Sequence, residues 1–159
     1  MMKNKAPKQK SNPFRQAVEA TPDVASGYRP GLQALLKKDS KKIELADPTK
    51  CEGSLDIDTC TTAKYPQANR WDYALSYKAQ AYFVEVHSAE TGEVSTVLKK
   101  LQWLKDWLET EAPEIKKMKA GGQAFFWLQS GRFDILPGSP QSIKLASARL
   151  RPIPKLVLK

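Results

Sequence analysis

Residues 69–89 read NRWDYALSYKAQAYFVEVHSA, and the pattern is that of a β-hairpin. From Arg70 to Tyr77 the chain alternates, with Trp71, Tyr73, Leu75 and Tyr77 on one face and Asp72, Ala74 and Ser76 on the other, the period-2 signature of a strand. Ala81 to His87 forms a second strand-like arm. A two-residue turn at Lys78-Ala79 sets a register in which Asp72 lies opposite Glu85 and Arg70 opposite His87. Lys-Ala is not a favoured hairpin dipeptide, and a longer loop shifts that register. Glu85 and His87 share a face in any register, because side chains alternate along a strand.

Two carboxylates facing each other across strands repel. A divalent cation between them removes the repulsion, since Mg²⁺ is typically held by one or two carboxylates with water and a substrate phosphate. The same residues also suit a plainer arrangement, in which Asp72 and His87 lie on a solvated face near the strand ends and Glu85 pairs with a lysine. The spacing leaves both open.

A chain of 159 residues suits one domain. Its formal net charge of +9 is uneven: residues 1–15 carry Lys3, Lys5, Lys8, Lys10 and Arg15 and no acid. With Pro7, Pro13, Pro22 and Pro30 and no sustained periodicity, residues 1–30 are expected to form a basic arm with a short turn of helix at Phe14 to Ala20, and residues 31–159 a single domain. Such arms bind nucleic acid or serve as solubilising tails. MMKNKAPKQK is followed by no apolar core of a secretory signal, and no apolar run approaches the ~20 residues that span a bilayer. No membrane partner and a cytoplasmic location are expected. Cys51 and Cys60 are then expected as reduced thiols, and with one histidine they do not complete a zinc quartet.

Elsewhere, Leu32, Leu35, Leu36 and Ile43 predict an amphipathic helix over residues 31–43. Residues 52–61 read as a strand, with Leu55 and Ile57 facing one way and Asp56 and Asp58 the other. Val94, Val97, Leu98, Leu101, Leu104 and Leu108 predict a helix over residues 93–108. A second short helix follows Pro113 and stops at Gly121-Gly122. Residues 123–129 and 132–136 predict a hairpin around Ser130-Gly131, and Ser139-Pro140 opens a helix to about Leu150.

This order, with acids on the second and third strands, resembles the PD-(D/E)XK nuclease superfamily over residues 31–136. The resemblance implies an α/β fold: a restriction endonuclease-like mixed sheet (αβββαβ core) flanked by helices, here with an extra C-terminal hairpin strand and helix. In that family an Asp on the second core strand and the acid opening an E-x-K tripeptide on the third hold a divalent metal, and a Lys is the third catalytic group. Asp72 in RWDY and Glu85 in EVH match the two acids. The resemblance thus implies Mg or Mn held by Asp72, Glu85 and the Val86 carbonyl, with Asp58 or Asp56 extending the cluster. His87 stands where the family has its lysine. An imidazole with an unperturbed pKa near ~6.5 is mostly neutral at pH 7, and suits a metal ligand or water-orienting base better than a fixed positive charge. A lysine displaced onto the following helix, Lys99 or Lys100, is the candidate substitute.

The implied activity is metal-dependent hydrolysis of DNA phosphodiesters, with Lys37, Lys38, Lys41, Lys42, Lys99 and Lys100 holding phosphates. The missing motif lysine motivates the alternative, a catalytically inactive nuclease-fold protein that binds nucleic acid or a protein partner in a larger assembly. A homo-oligomer is compatible with either.

Overall fold

The computed structural model describes residues 11–159. In chain order its helices and strands are α1 (Pro13–Glu19), β1 (Tyr28–Arg29), α2 (Lys37–Ser40), β2 (Ile43–Leu45), β3 (Cys51–Asp56), α3 (Ile57–Thr61), β4 (Tyr73–Tyr77), β5 (Gln80–Glu90), α4 (Val94–Thr110), α5 (Pro113–Lys116), β6 (Phe125–Asp134), α6 (Pro140–Ala148) and β7 (Leu156–Leu158). The class is mixed α/β. Five strands form one sheet in the order β1-β3-β4-β5-β6. β3, β4 and β5 are an antiparallel meander, while β5 and β6 run parallel. Parallel neighbours need a crossover, and α4 supplies it. β2 and β7 pair in parallel as a separate two-stranded sheet.

Both faces of the large sheet are covered. On one side Ala74, Phe83 and Trp127 meet Phe14 and Val18 of α1 and Val97, Leu101, Leu104 and Leu108 of α4. On the other, Tyr73, Leu75, Tyr77, Val84 and Leu128 pack with Ile43, Leu156 and Leu158 of the small sheet. This double cover explains why every residue of β4 is buried, including those on its polar face. Trp103 and Trp107 stack on α4, and the Trp107 indole N–H donates to Asp23 at 3.0 Å. Asp23 also accepts from Lys64 and the Tyr65 hydroxyl, tying the connection after α3 to α4.

From Tyr73 onward the central hairpin has the register that its pattern requires, with Tyr73 paired to Val84 and Tyr77 to Gln80 around Lys78-Ala79. The strand does not begin at Arg70, and Trp71 is buried in the core on the opposite side from Tyr73, Leu75 and Tyr77, because the chain leaves the ladder at Asp72 to brace α3. Both turn residues have positive φ, 50° and 63°, the type I′ geometry usually given to Asn-Gly. Neighbouring groups hold it closed. The Ala79 N–H and the Ser76 hydroxyl donate to the two oxygens of Glu52, at 2.8 and 3.0 Å, and the Lys78 N–H donates to the Lys50 carbonyl.

The basic arm does not extend to residue 30. Asn12 caps α1 by accepting from the Arg15 N–H, Phe14 and Val18 are fully buried, and β1 pairs with β3. α1 is the short turn of helix expected at Phe14 to Ala20, but it is packed into the core and is not part of an arm. The rest of the expected arm, residues 1–10, lies outside the described residues.

Three further expectations are corrected. Only Lys37–Ser40 is helical within residues 31–43, because Ile43 pairs with Leu156 in the small sheet, a partner that local periodicity cannot reveal. β3 stops at Asp56, whose carboxylate accepts from the Thr59 N–H at 2.9 Å and starts α3. Ser130-Gly131 is not a turn: β6 runs straight through it, and a register shift opposite His87 and Ala89 absorbs the extra residues. The extra C-terminal hairpin strand is therefore absent. The expected C-terminal helix is present as α6, capped by the Ser139 hydroxyl. No helix among the described residues is long and apolar enough to cross a membrane.

Candidate active site

Where β3 gives way to α3, the sheet opens. The Asp72 carbonyl accepts from the Ile57 and Asp58 N–H groups at 2.9 and 3.3 Å, so the residue ahead of β4 braces the start of α3 instead of continuing the ladder. Asp72 and Glu85 face each other in this gap. The Asp72 N–H donates to Glu85 Oε2 at 2.9 Å, and the Val86 N–H donates to Asp72 Oδ2 at 3.0 Å. These reciprocal bonds fix both carboxylates. The N–H and C=O of a strand residue lie on the same edge, so the Val86 carbonyl faces the same opening.

Lys100 reaches the pair from α4. Its ammonium forms an ion pair with Glu85 Oε1 and lies 3.8 Å from Asp72 Oδ1. Glu85 has no solvent exposure and the Lys100 side chain is 17% exposed. Glu85 does pair with a lysine, then, but in a buried cluster and not on a solvated face. The choice between Lys99 and Lys100 follows from helix geometry: Lys100 lies three residues after Val97 and four before Leu104, on the stripe that faces the sheet. Lys99 is exposed on another side of α4, beside Gln141 and Lys144.

β5 turns Glu85 and His87 to the same side, toward α4. His87 Nε2 lies 2.7 Å from Glu93 Oε2, and Nδ1 is 3.6 Å from Glu85 Oε1. Glu93 belongs to the short turn before α4, and nothing in its sequence surroundings distinguishes it from a first-turn helix acid.

The electrostatics follow from this crowding. Burial, with the Glu85 charge adding to it, pushes the Asp72 pKa up to about 7 against the opposing effects of Lys100 and the Val86 N–H. Burial works against the Lys100 charge, but Glu85 and Asp72 outweigh it and the pKa rises. The Glu85 carboxylate, helped by Glu93, raises the His87 pKa over the effects of burial and of Lys100. His87 is thus moved toward its charged form, in the opposite direction from the neutral imidazole expected from sequence.

The site opens into a cleft of about 580 Å³ whose lining includes Asp56, Asp58, Asp72 and Val86 together with Leu36, Lys38, Lys42 and Ser130. Asp58 is at the cleft, but one oxygen accepts from Arg70 Nε at 2.8 Å. Asp56 is occupied as the α3 cap. Of the lysines expected to hold phosphates, Lys38 and Lys42 line the cleft, whereas Lys37 and Lys41 are exposed away from it and Lys100 is committed to the carboxylates.

Among the described residues, no group of three or more His, Cys, Asp or Glu side chains is disposed to hold a metal ion. The available donors are Asp72, Glu85 and the Val86 carbonyl. That set fits Mg²⁺ or Mn²⁺ only as a water-rich site, in which solvent and substrate complete the shell. No family model, curated protein or solved structure matches the chain.

Proposed function

We propose that this protein is a metal-dependent nuclease of the PD-(D/E)XK type that hydrolyses DNA phosphodiesters in the cytoplasm. The observation that carries the reading is the convergence of Lys100 on Asp72 and Glu85 at the open end of β4 and β5. Two acids on adjacent strands and a lysine are the three groups such an enzyme needs, and here the lysine comes from the helix. The connectivity α1-β3-β4-β5-α4-β6 supports a restriction endonuclease-like core, with α1 as its first helix.

Asp72, Glu85 and the Val86 carbonyl are the groups that would hold Mg²⁺ or Mn²⁺. Such an ion, when bound, polarises a phosphate and acidifies a water molecule. The chain's own residues supply the rest. Lys100 provides the fixed positive charge absent from position 87, close enough to both carboxylates to orient a water or a phosphate oxygen beside them. The Val86 N–H holds one Asp72 oxygen and leaves the other directed at Lys100. Glu93 anchors the His87 ring on the face shared with Glu85, where it can position water or pass a proton.

The test is a cleavage assay with Mn²⁺ and Mg²⁺ on single- and double-stranded DNA, together with calorimetry of Mn²⁺ binding. Asp72→Asn and Lys100→Met are each expected to lose about 10²–10⁴-fold in turnover. Wild-type protein that neither binds Mn²⁺ nor cuts DNA would remove the proposal. One observation favours a second reading: Lys100 already neutralises Glu85, as it would in a nuclease-fold protein kept only for binding nucleic acid or a protein partner. That reading expects nucleic-acid binding unaffected by metal.

A further inference from the structure

Lys38 and Lys42 differ from most lysines near acids in this protein. Lys64, Lys100, Lys116, Lys117 and Lys155 are paired with carboxylates. Lys38 and Lys42 border a cleft containing Asp56, Asp58 and Asp72, yet neither has an ion-pair partner among the described residues. The backbone that carries them is fixed to the site. Between them in sequence, Asp39 turns inward, is buried, and accepts from the Tyr73 hydroxyl at 2.7 Å. Tyr73 directly follows Asp72. The Lys42 carbonyl accepts from the Leu156 N–H at 2.8 Å, which holds the other end of the segment to β7. Leu36, which lines the same cleft as Lys38 and Lys42, is 59% exposed, a large apolar side chain presented to solvent.

Apolar surface and unpaired positive charge in one cleft, on a segment tied to the residue after Asp72, are complementary to a nucleotide. We propose that Leu36, Lys38 and Lys42 form a lip that receives one single strand of nucleic acid, with the two ammonium groups on phosphates flanking the one at Asp72 and Leu36 against a sugar or base. This rests on the nuclease reading for the position of the reacting phosphate. Selection of a single strand follows from the pairing of charge with an apolar contact: an unpaired base is free to turn toward Leu36 while its phosphates reach the two lysines, whereas the bases of a duplex are paired and stacked inside it.

The experiment is fluorescence anisotropy with a labelled single-stranded oligonucleotide and its duplex, in Ca²⁺, across a salt series. The lip variant is Lys38→Ala with Lys42→Ala, and the control, Lys37→Ala with Lys41→Ala, removes the same charge from outside the cleft. The lip variant is expected to bind the single strand about tenfold or more weakly and to lose about 1.4 from the slope of log affinity against log salt, two contacts at about 0.7 each. The control should stay within about twofold, Leu36→Ala should weaken binding with no change of slope, and the duplex should bind more weakly than the single strand. Equal losses in the lip and control variants would reduce the lip to general surface charge, and tighter binding of the duplex, or no binding of either, would also overturn it. Mn²⁺-dependent cleavage measured in parallel separates the two ideas. If wild type cleaves and the lip variant keeps its KM, the lip is wrong and the nuclease reading stands; if wild type never cleaves but the lip variant alone loses the single strand, the lip stands and the nuclease reading falls.

Discussion

Lys100 forms an ion pair with Glu85, a carboxylate with no solvent exposure, across the space between α4 and β5. A buried charge left alone costs several kcal/mol, so this pair offsets a penalty that the fold would otherwise carry. The same ammonium lies 3.8 Å from Asp72. It therefore occupies the electrostatic position that a divalent cation would take in the proposed nuclease, where ammonium and cation would compete for the same negative charge.

Lys100→Met should reveal that competition. Removing one member of a buried pair typically costs about 3–5 kcal/mol, so the variant is expected to melt well below wild type in EDTA. Mn²⁺ then has two uncompensated carboxylates to neutralise. Scanning fluorimetry should show a larger Mn²⁺-induced rise in Tm for Lys100→Met than for wild type, even as turnover is lost. A smaller rise would mean that Lys100 helps to build the cation site and does not compete with it.

Asp72 gives the metal-free protein a definite pH dependence. Its folded pKa of about 7 lies above the ordinary 3.8, so the native state favours the protonated form. The contribution of this group is neutral below the lower value, and it becomes increasingly destabilising as pH rises from about 4 through 7. Asp72→Asn is expected to leave stability at pH 4 almost unchanged and to raise it at pH 8 by on the order of 1–3 kcal/mol. Urea titrations at the two pH values in EDTA check this. An Asp72→Asn protein less stable than wild type at pH 8 would show that Lys100 and the Val86 N–H outweigh burial.

Much of the site was legible in residues 69–89 because hairpin register depends on local alternation and turn length. The opposition of Asp72 to Glu85 and the shared face of Glu85 and His87 both follow from those rules. The buried partner Lys100 could be narrowed to a helix but not selected until the stripe of Val97, Leu101 and Leu104 was set against the sheet. What failed was long-range. Ile43 pairs with the far C-terminal strand, and Phe14, on the short helix expected within the arm, fills the core. Ser130-Gly131 has the composition of a turn, yet alignment with β5 draws it into one continuous strand. Asp56 alternated correctly for a strand but is used as a helix cap, a choice between two local hydrogen-bond patterns that tertiary packing decides.

The hairpin turn is the place where the sequence departs from its geometry. Ala79 sits at φ 63°, in the left-handed region that costs an L-residue roughly 1–2 kcal/mol. Its N–H bond to Glu52 does not depend on the side chain. Ala79→Gly is expected to raise stability by about 0.5–1 kcal/mol, the relief of strain less the greater freedom of glycine in the unfolded chain. The urea midpoint should rise with an unchanged m-value. A fall would mean that the turn adopts another form in solution.

His87 is the only histidine in the chain, so its ring signals in ¹H–¹⁵N spectra need no assignment by mutation. Glu85 and Glu93 together raise its pKa above 6.5, and Glu93 contributes through the 2.7 Å contact to Nε2. Glu93→Gln is expected to lower the pKa while Glu85 keeps the ring in place. For a histidine whose folded pKa is raised, the stabilisation is complete below the unfolded value and disappears as pH rises through the folded one. The variant should therefore lose stability at pH 5.5 and none at pH 9, and the loss should be small, at most about 1 kcal/mol, because the Glu93 side chain is partly exposed. The same substitution tests the proposed chemistry. If His87 accepts a proton from water, only its neutral form works, and activity falls as pH drops through its pKa. Lowering that pKa should move the acidic limb of the pH–rate profile to lower pH by the amount seen in the spectra. A titration that shifts without moving the profile would remove His87 as the base and leave it as a support for Glu85.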